Sequence, residues 1–322
     1  MSAPRVGWIG LGSMGQGMAI NVQHHLRSTA SDSLLCFNRS VARCEPVVEA
    51  GAKCAESAQD VLINSDIVFI SLSDDVATKA TVEAMLSGLA PSAAVKKLIV
   101  DTSTVHPDTS AWMQTSFSKH GAQFLAAPVF GASPVAANGQ LLFVLAGPPD
   151  AVKTIEPYLE GVMARAVIYL GEDVTLSSKL KTVGNFITAG MMELLSETHV
   201  LAEKVGLSEA AVENLIDLQY KALPLAVSQR ITGGHYLPVR AERPWSDLNL
   251  AVKDVGLVVD CAKNAGVTLP TAETIMGNYK TAQKYSEEHD RPLDSSSMYG
   301  VLREQAGLPF ESAVVKKRDD EA

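Results

Sequence analysis

Positive charge is the scarcer sign in this chain. Its 27 lysines and arginines stand against 36 aspartates and glutamates, a formal net charge of −9. That balance argues against non-specific binding to nucleic acid or to an anionic membrane. It leaves a small anionic ligand open, because binding sites are local. Cysteine is sparse too. Cys36, Cys44, Cys54 and Cys261 show no Cys-x-x-Cys spacing, so they read as reduced thiols of a cytoplasmic protein, with no metal site. Long apolar runs are missing: none reaches the roughly 20 residues of a bilayer-spanning helix. The opening MSAPRVGWIGLG lacks the basic, apolar and small-residue layout of a signal peptide. What is present is 47% hydrophobic and 20% charged residues over 322 positions. This suits a soluble globular protein with two domains.

The first half alternates short apolar runs with helical patterns. Candidate strands are 5–9, 34–37, 67–72, 98–100, 123–126, 141–146 and 167–169. Most are apolar throughout, as strands covered on both faces are. The rhythm predicts an α/β fold, a Rossmann-type doubly wound parallel sheet over residues 1–172. From Val174 the strand signal stops. A long helix is expected over about 175–204, another from Ser246 or Asp247 to Gly266, and a third from Pro270. Residues 173–322 therefore read as an all-helical domain that ends in a loose charged tail at about 312–322.

The segment VGWIGLGSMGQGMA places Gly10, Gly12 and Gly15 in G-x-G-x-x-G spacing between a strand and a helix, the context that a dinucleotide-binding turn requires. Gly10 permits the tight turn, Gly12 the approach of a pyrophosphate, and Gly15 close packing of helix on strand. The turn residues Leu11, Ser13 and Met14 complete the cradle at the helix N-terminus. At the end of the second strand stand Asn38, Arg39 and Ser40. An NAD site would place a carboxylate there. Its absence, with a guanidinium present to meet a 2′-phosphate, predicts NADP(H) over NAD(H).

Further on, Lys181 and Asn185 lie four residues apart in an apolar run, on one face of the long helix. Taken alone, such a lysine is equally well a snorkelling side chain.

Six ordered motifs make the chain resemble the β-hydroxyacid dehydrogenases. These include 3-hydroxyisobutyrate dehydrogenase and glyoxylate/succinic semialdehyde reductase, with imine reductases as distant relatives. The motifs are GWIGLGSMG, VFISLSDD at 68–75, DTSTVHPDTS at 101–110, APVFGASPVAANGQLLFVLAG at 127–147, KTVGN at 181–185 and LAVKDVGL at 250–257. The resemblance implies that Lys181 is the catalytic acid/base and that Asn185 helps to hold the substrate. It implies that the backbone at Gly131 lies against the substrate; Ser103 is expected either there or as a support of its loop, and Phe130, at the position of the family's serine, is a candidate for the same wall. It places Leu72, Ser73, Thr104 and Lys253 at the cofactor. Asp254 reads equally as an ordinary surface charge. The physics agrees with the role of Lys181: an ammonium beside a carbonyl can donate a proton to oxygen as hydride reaches carbon.

The chain also departs from the family pattern. Phe130-Gly131-Ala132 stands where relatives carry Ser-Gly-Gly, Gly184 replaces an asparagine or histidine, and Ser246, beside Trp245, replaces an aromatic. These changes suggest a pocket for a bulkier or less acidic carbonyl compound. Phe130 reads equally as a packed residue turned away from the ligand. The expected function is hydride transfer between NADP(H) and a small 3-hydroxyacid, semialdehyde or related carbonyl compound. The alternatives are an imine reductase or a non-catalytic NADPH-binding module, and retention of Lys181 disfavours both. Expected partners are the small-molecule substrate and further copies of the chain, as a homodimer or homotetramer through the helical domain. His106 and His199 are left without a role.

Overall fold

The computed structural model describes residues 3–90, 96–240 and 242–321. The chain separates into two compact units, Met1–Thr182 and Val183–Ala322.

The first unit begins β1 (Val6–Ile9), α1 (Ser13–Ser28), β2 (Leu35–Phe37), α2 (Glu45–Glu49), β3 (Lys53–Cys54), α3 (Ala58–Asn64) and β4 (Ile67–Ile70). It continues α4 (Asp75–Leu86), β5 (Leu98–Asp101), α5 (Pro107–Ser118) and β6 (Gln123–Ala126). These six strands pair in the order β3-β2-β1-β4-β5-β6, all parallel. Val6, Trp8, Phe69 and Val100 point into one buried layer, and Ile9, Val68, Ile70 and Ile99 into the other. Adjacent strand residues thus feed opposite cores, which is why the runs are apolar without alternation. The strand order reverses between β1 and β4, the crevice where ligands of such sheets bind.

Two expected strands lie outside this sheet. After β6 come β7 (Val129–Phe130), α6 (Ser133–Ala137), β8 (Leu141–Leu145), α7 (Pro149–Ile155) and β9 (Ala164–Tyr169). Strands β7, β8 and β9 form a second, three-stranded sheet. In it β7 runs antiparallel to β8, and β9 parallel to it. The apolar runs at 141–146 and 167–169 are therefore strands, but not of the doubly wound sheet. Strands β3 and β7 have two residues each, too few for a hydrophobic pattern to mark them.

The long helix α8 spans Thr175–Lys204, and the division between units falls inside it rather than at 172/173. Its first turns pack with the sheet unit, where Ser178 Oγ meets Ser110 Oγ of α5 at 2.7 Å.

The second unit continues α8 with α9 (Glu209–Gln219), α10 (Ala222–Thr232), α11 (Leu248–Asn264), α12 (Pro270–Glu288), α13 (Met298–Gln305) and α14 (Ala313–Asp320). Asp247 caps α11, its carboxylate accepting from Asn249 N at 2.8 Å. Tyr236, Tyr279 and Tyr299 are fully buried in a core apart from that of the sheet unit. The tail expected to be loose is instead ordered as α14. Arg291 Nη1 holds Asp319 Oδ2 at 2.6 Å, and Arg318 Nη2 donates to Leu237 O at 2.7 Å. Charge alone suggested disorder, but these ion pairs and carbonyl contacts order the segment.

Candidate active site

The glycine turn is built by close contact. Gly10 has φ +95°, and a Cβ there would sit 2.1 Å from Ser71 O, just past β4. The loops after β1 and β4 thus touch at the point of strand-order reversal. A Cβ on Gly15 would lie 2.2 Å from Gly10 O, so a larger residue would push α1 off the turn. In front of Gly12 the space is open: the nearest atom to a Cβ there is Arg43 Nη1, at 3.9 Å. Gly12 caps α1 with no side-chain hydrogen bond, and the first turn carries no acidic residue. Unfilled N–H donors, a positive helix end and an approach free of Cβ together fit the phosphates of a dinucleotide.

Around this turn the predicted residues take different parts. Leu11 is buried; its N–H donates to Asn38 Oδ1 at 2.9 Å, while Asn38 Nδ2 donates to Ser40 O at 3.0 Å. Asn38 therefore ties the glycine turn to the end of β2. Ser13, Arg39 and Ser40 are exposed and Met14 is half-buried. Arg43, which the motif reading passed over, belongs to the cradle. A 3₁₀ turn at Val41–Cys44 carries its guanidinium back toward Gly12. Its signal in the sequence was a second basic residue four places after Arg39. Beneath it Cys36 and Cys44 are buried. Burial pushes their thiols up to about 12 and about 11 respectively. No disulfide joins the four cysteines, and no cluster of metal ligands occurs among the described residues.

The loop after β4 is braced from below. Ser103, expected on the substrate or as a support of its loop, is buried, and its Oγ accepts from Leu72 N at 2.9 Å. Its own N–H donates to the buried Asp101 Oδ1 at 3.1 Å. The loop thus uses Ser103 as a strut. Asp74 caps α4, accepting from Ala77 N at 2.7 Å and from Ser73 Oγ at 2.6 Å. Thr104 is half-buried beside Ser103. His106 caps α5, its Nδ1 accepting from Asp108 N at 3.2 Å, a structural task that accounts for a histidine in this loop.

Lys181 lies on α8 within the sheet unit, only 8% exposed. Its Nζ sits 4.3 Å from the ring centroid of Phe130. Phe130 ends β7, shortly beyond the C-terminal end of β6, and pairs with Leu142 of β8. Gly131 follows with φ +136°, and a Cβ there would lie 2.6 Å from Leu141 Cδ2. The lysine predicted as acid/base and the loop residues predicted against the substrate are thus neighbours in one unit. Asn185, one turn on along α8, belongs to the helical unit. Its Nδ2 donates to Asp254 Oδ2 at 2.8 Å, and Lys253 Nζ pairs with Asp254 Oδ1 at 2.9 Å. Asp254 is therefore the link between two predicted site residues rather than an ordinary surface charge. His199 is buried with Nε2 2.6 Å from Ser228 Oγ. Burial lowers its pKa and keeps it a neutral core residue.

The sheet order and the glycine cradle are those of a dinucleotide-binding unit. Residues 5–171 match the NAD binding domain of 6-phosphogluconate dehydrogenase. Residues 177–302 match the NAD-binding family of NADP-dependent 3-hydroxyisobutyrate dehydrogenase. The chain belongs to the β-hydroxyacid dehydrogenase family and is an oxidoreductase of the 3-hydroxyisobutyrate dehydrogenase type. It is 28% identical over 303 residues to an NADH-dependent oxidoreductase of Aspergillus ustus, covering 93% of this chain and 99% of that one. It is 28% identical over 278 residues to glyoxylate/succinic semialdehyde reductase 1 of Arabidopsis thaliana, covering 86% and 92%. Its fold resembles that of 3-hydroxyisobutyrate dehydrogenase from Mycobacterium tuberculosis, with TM-score 0.74, 24% identity and coverage of 94% and 100%.

Proposed function

We propose that this chain transfers hydride between NADP(H) and the carbonyl or hydroxyl carbon of a small 3-hydroxyacid, semialdehyde or related compound, with Lys181 as general acid/base. The observation that carries the reading is the burial of Lys181, with its Nζ over the ring of Phe130, in the unit that holds the glycine cradle. A structural lysine would extend its amine to solvent. When bound, the nicotinamide supplies or takes up hydride. The chain's own residues do the rest. Lys181 gives a proton to the carbonyl oxygen during reduction and takes it back during oxidation. Asp254, bonded to Asn185 Nδ2, holds that amide in one orientation within the helical unit. Gly131 keeps backbone N–H groups approachable.

Preference for NADP(H) rests on the exposed Arg39, on Arg43 at the turn, and on the absence of a carboxylate at the end of β2. The first turns of α1 and the 3₁₀ turn at Val41–Cys44 bring no acidic side chain to oppose a 2′-phosphate. We place the enzyme in the cytoplasm as a homodimer or homotetramer. Val183, Ile187, Leu194 and Leu201 run as an exposed apolar row along α8, which supports self-association through the helical unit.

The test is reduction of glyoxylate and succinic semialdehyde by the purified protein with NADPH deuterated at C4. Deuterium at the product carbinol carbon supports the reading. Cofactor binding without transfer to any member of a broad aldehyde, ketone and imine panel would overturn it.

A further inference from the structure

In the sheet unit the Lys181 ammonium lies over the face of the Phe130 ring, with Nζ 4.3 Å from the ring centroid. Three features hold the backbone of this segment in place. The backbone of Phe130 is held in the β7–β8 ladder opposite Leu142. Gly131, with φ +136°, fixes the direction of the chain leaving it. The following helix α6 is fastened to α1, where Asn21 Nδ2 donates to Ala136 O at 2.9 Å. The backbone that carries the ring is therefore fixed beside the ammonium.

A ring face attracts a cation through its quadrupole and repels an anion for the same reason. It offers no N–H or O–H. Phe130 is only half-buried, so ring surface remains for a bound molecule. A carboxylate against that surface would lose water and gain no donor from it. An alkyl or aryl group would be buried there favourably.

We propose that Phe130 is a positioning and specificity residue for Lys181, so that the site takes carbonyl compounds whose substituent beside the carbonyl is apolar and uncharged. The proposal rests on the hydride-transfer reading above and, among the carbonyl compounds it admits, places neutral aldehydes and ketones ahead of those that carry a carboxylate. The ring steadies the ammonium at one place and lines the pocket wall next to it. Oxygen of the substrate meets Lys181, and its hydrocarbon part meets Phe130.

The experiment measures kcat/KM with NADPH for phenylacetaldehyde and hexanal against succinic semialdehyde and glyoxylate. It uses the wild type and the variants Phe130→Ser, Phe130→Leu and Phe130→Tyr, with thermal denaturation reporting folding. The wild type is expected to favour the neutral aldehydes by roughly tenfold or more, and Phe130→Ser to move that ratio by roughly tenfold toward the anionic ones. Phe130→Leu keeps the apolar wall and loses the ring face. It should keep the neutral preference while the alkaline limb of the kcat pH profile moves to lower pH, because the ring face no longer favours the charged ammonium. Phe130→Tyr should restore the wild-type profile. If Phe130→Ser is misfolded, the Leu and Tyr pair carries the test through the pH limb. A substrate ratio within about twofold of wild type in Phe130→Ser, or an unmoved limb in Phe130→Leu, overturns the proposal. If that happens while Lys181→Ala is inert on the same aldehydes, only the proposal falls. A wild type that reduces neither class removes the underlying reading with it.

Discussion

Gly10 shows how a single position is dictated from two directions. Its φ of +95° strains any L side chain, and a Cβ would meet Ser71 O at 2.1 Å. Gly10→Ala should therefore cost more than about 2 kcal/mol, read as a lower midpoint in urea, and weaken dinucleotide binding at the same time. Arg39 is a binding prediction. Arg39→Ala should raise the Kd for NADPH tenfold or more, on the order of 1.4 kcal/mol, while that for NADH changes little; equal losses for both cofactors would mean that Arg39 does not touch the 2′-phosphate. At this scale the tight glycine turn was legible, because Gly10 and Gly15 mark it by their own lack of a Cβ; Arg39, Lys181 and Asn185 stand out by their side chains as candidates. Arg43 and the linking part of Asp254 were not legible, because each depends on a contact across tens of residues. For Ser103 the sequence left two parts open, substrate contact and support of its loop, and the bond from Leu72 N to its Oγ shows the second.

Elements that carry these residues are held at their ends. Helix α4 follows the loop expected beside the nicotinamide, and Asp74 caps it through Ala77 N at 2.7 Å. Asp74→Ala should cost about 1 kcal/mol and should loosen the Ser71–Ser73 loop, seen as faster amide exchange there. The 30-residue helix α8 was readable from end to end, because one apolar period runs through it and Gly206 stops it. The strands β3 and β7 were invisible at two residues each. The split into a six-stranded and a three-stranded sheet was invisible too. An apolar run announces a buried strand but does not name its neighbour. Tail helix α14 was misread as loose because a run of charges looks solvated until its ion pairs are seen.

At the scale of the molecule, stability carries a pH signature that comes from the helical unit. Glu193 is 4% exposed, and Asn278 Nδ2 donates to its Oε1. Burial pushes its carboxyl from 4.5 up to about 7. Below about 4.5 folded and unfolded chains both hold the proton. Between there and about 7 the folded chain keeps a proton that the unfolded chain has lost, so stability falls as pH rises. The loss reaches about 3 kcal/mol at most above that range. Glu193→Gln should raise the melting temperature near pH 8 and leave it almost unchanged near pH 4; an equal effect at both would mean that folding does not raise the pKa of this carboxyl. No helix among the described residues is long and apolar enough to cross a membrane, in keeping with the absence of long apolar runs. The account as a whole turns on Lys181. Its most direct test is the single-turnover rate of NADPH oxidation by Lys181→Ala, mixed rapidly with a saturating aldehyde that the wild type reduces. The account predicts a rate lower by roughly 100-fold or more with the Kd for NADPH unchanged. A rate within about threefold of wild type would contradict it.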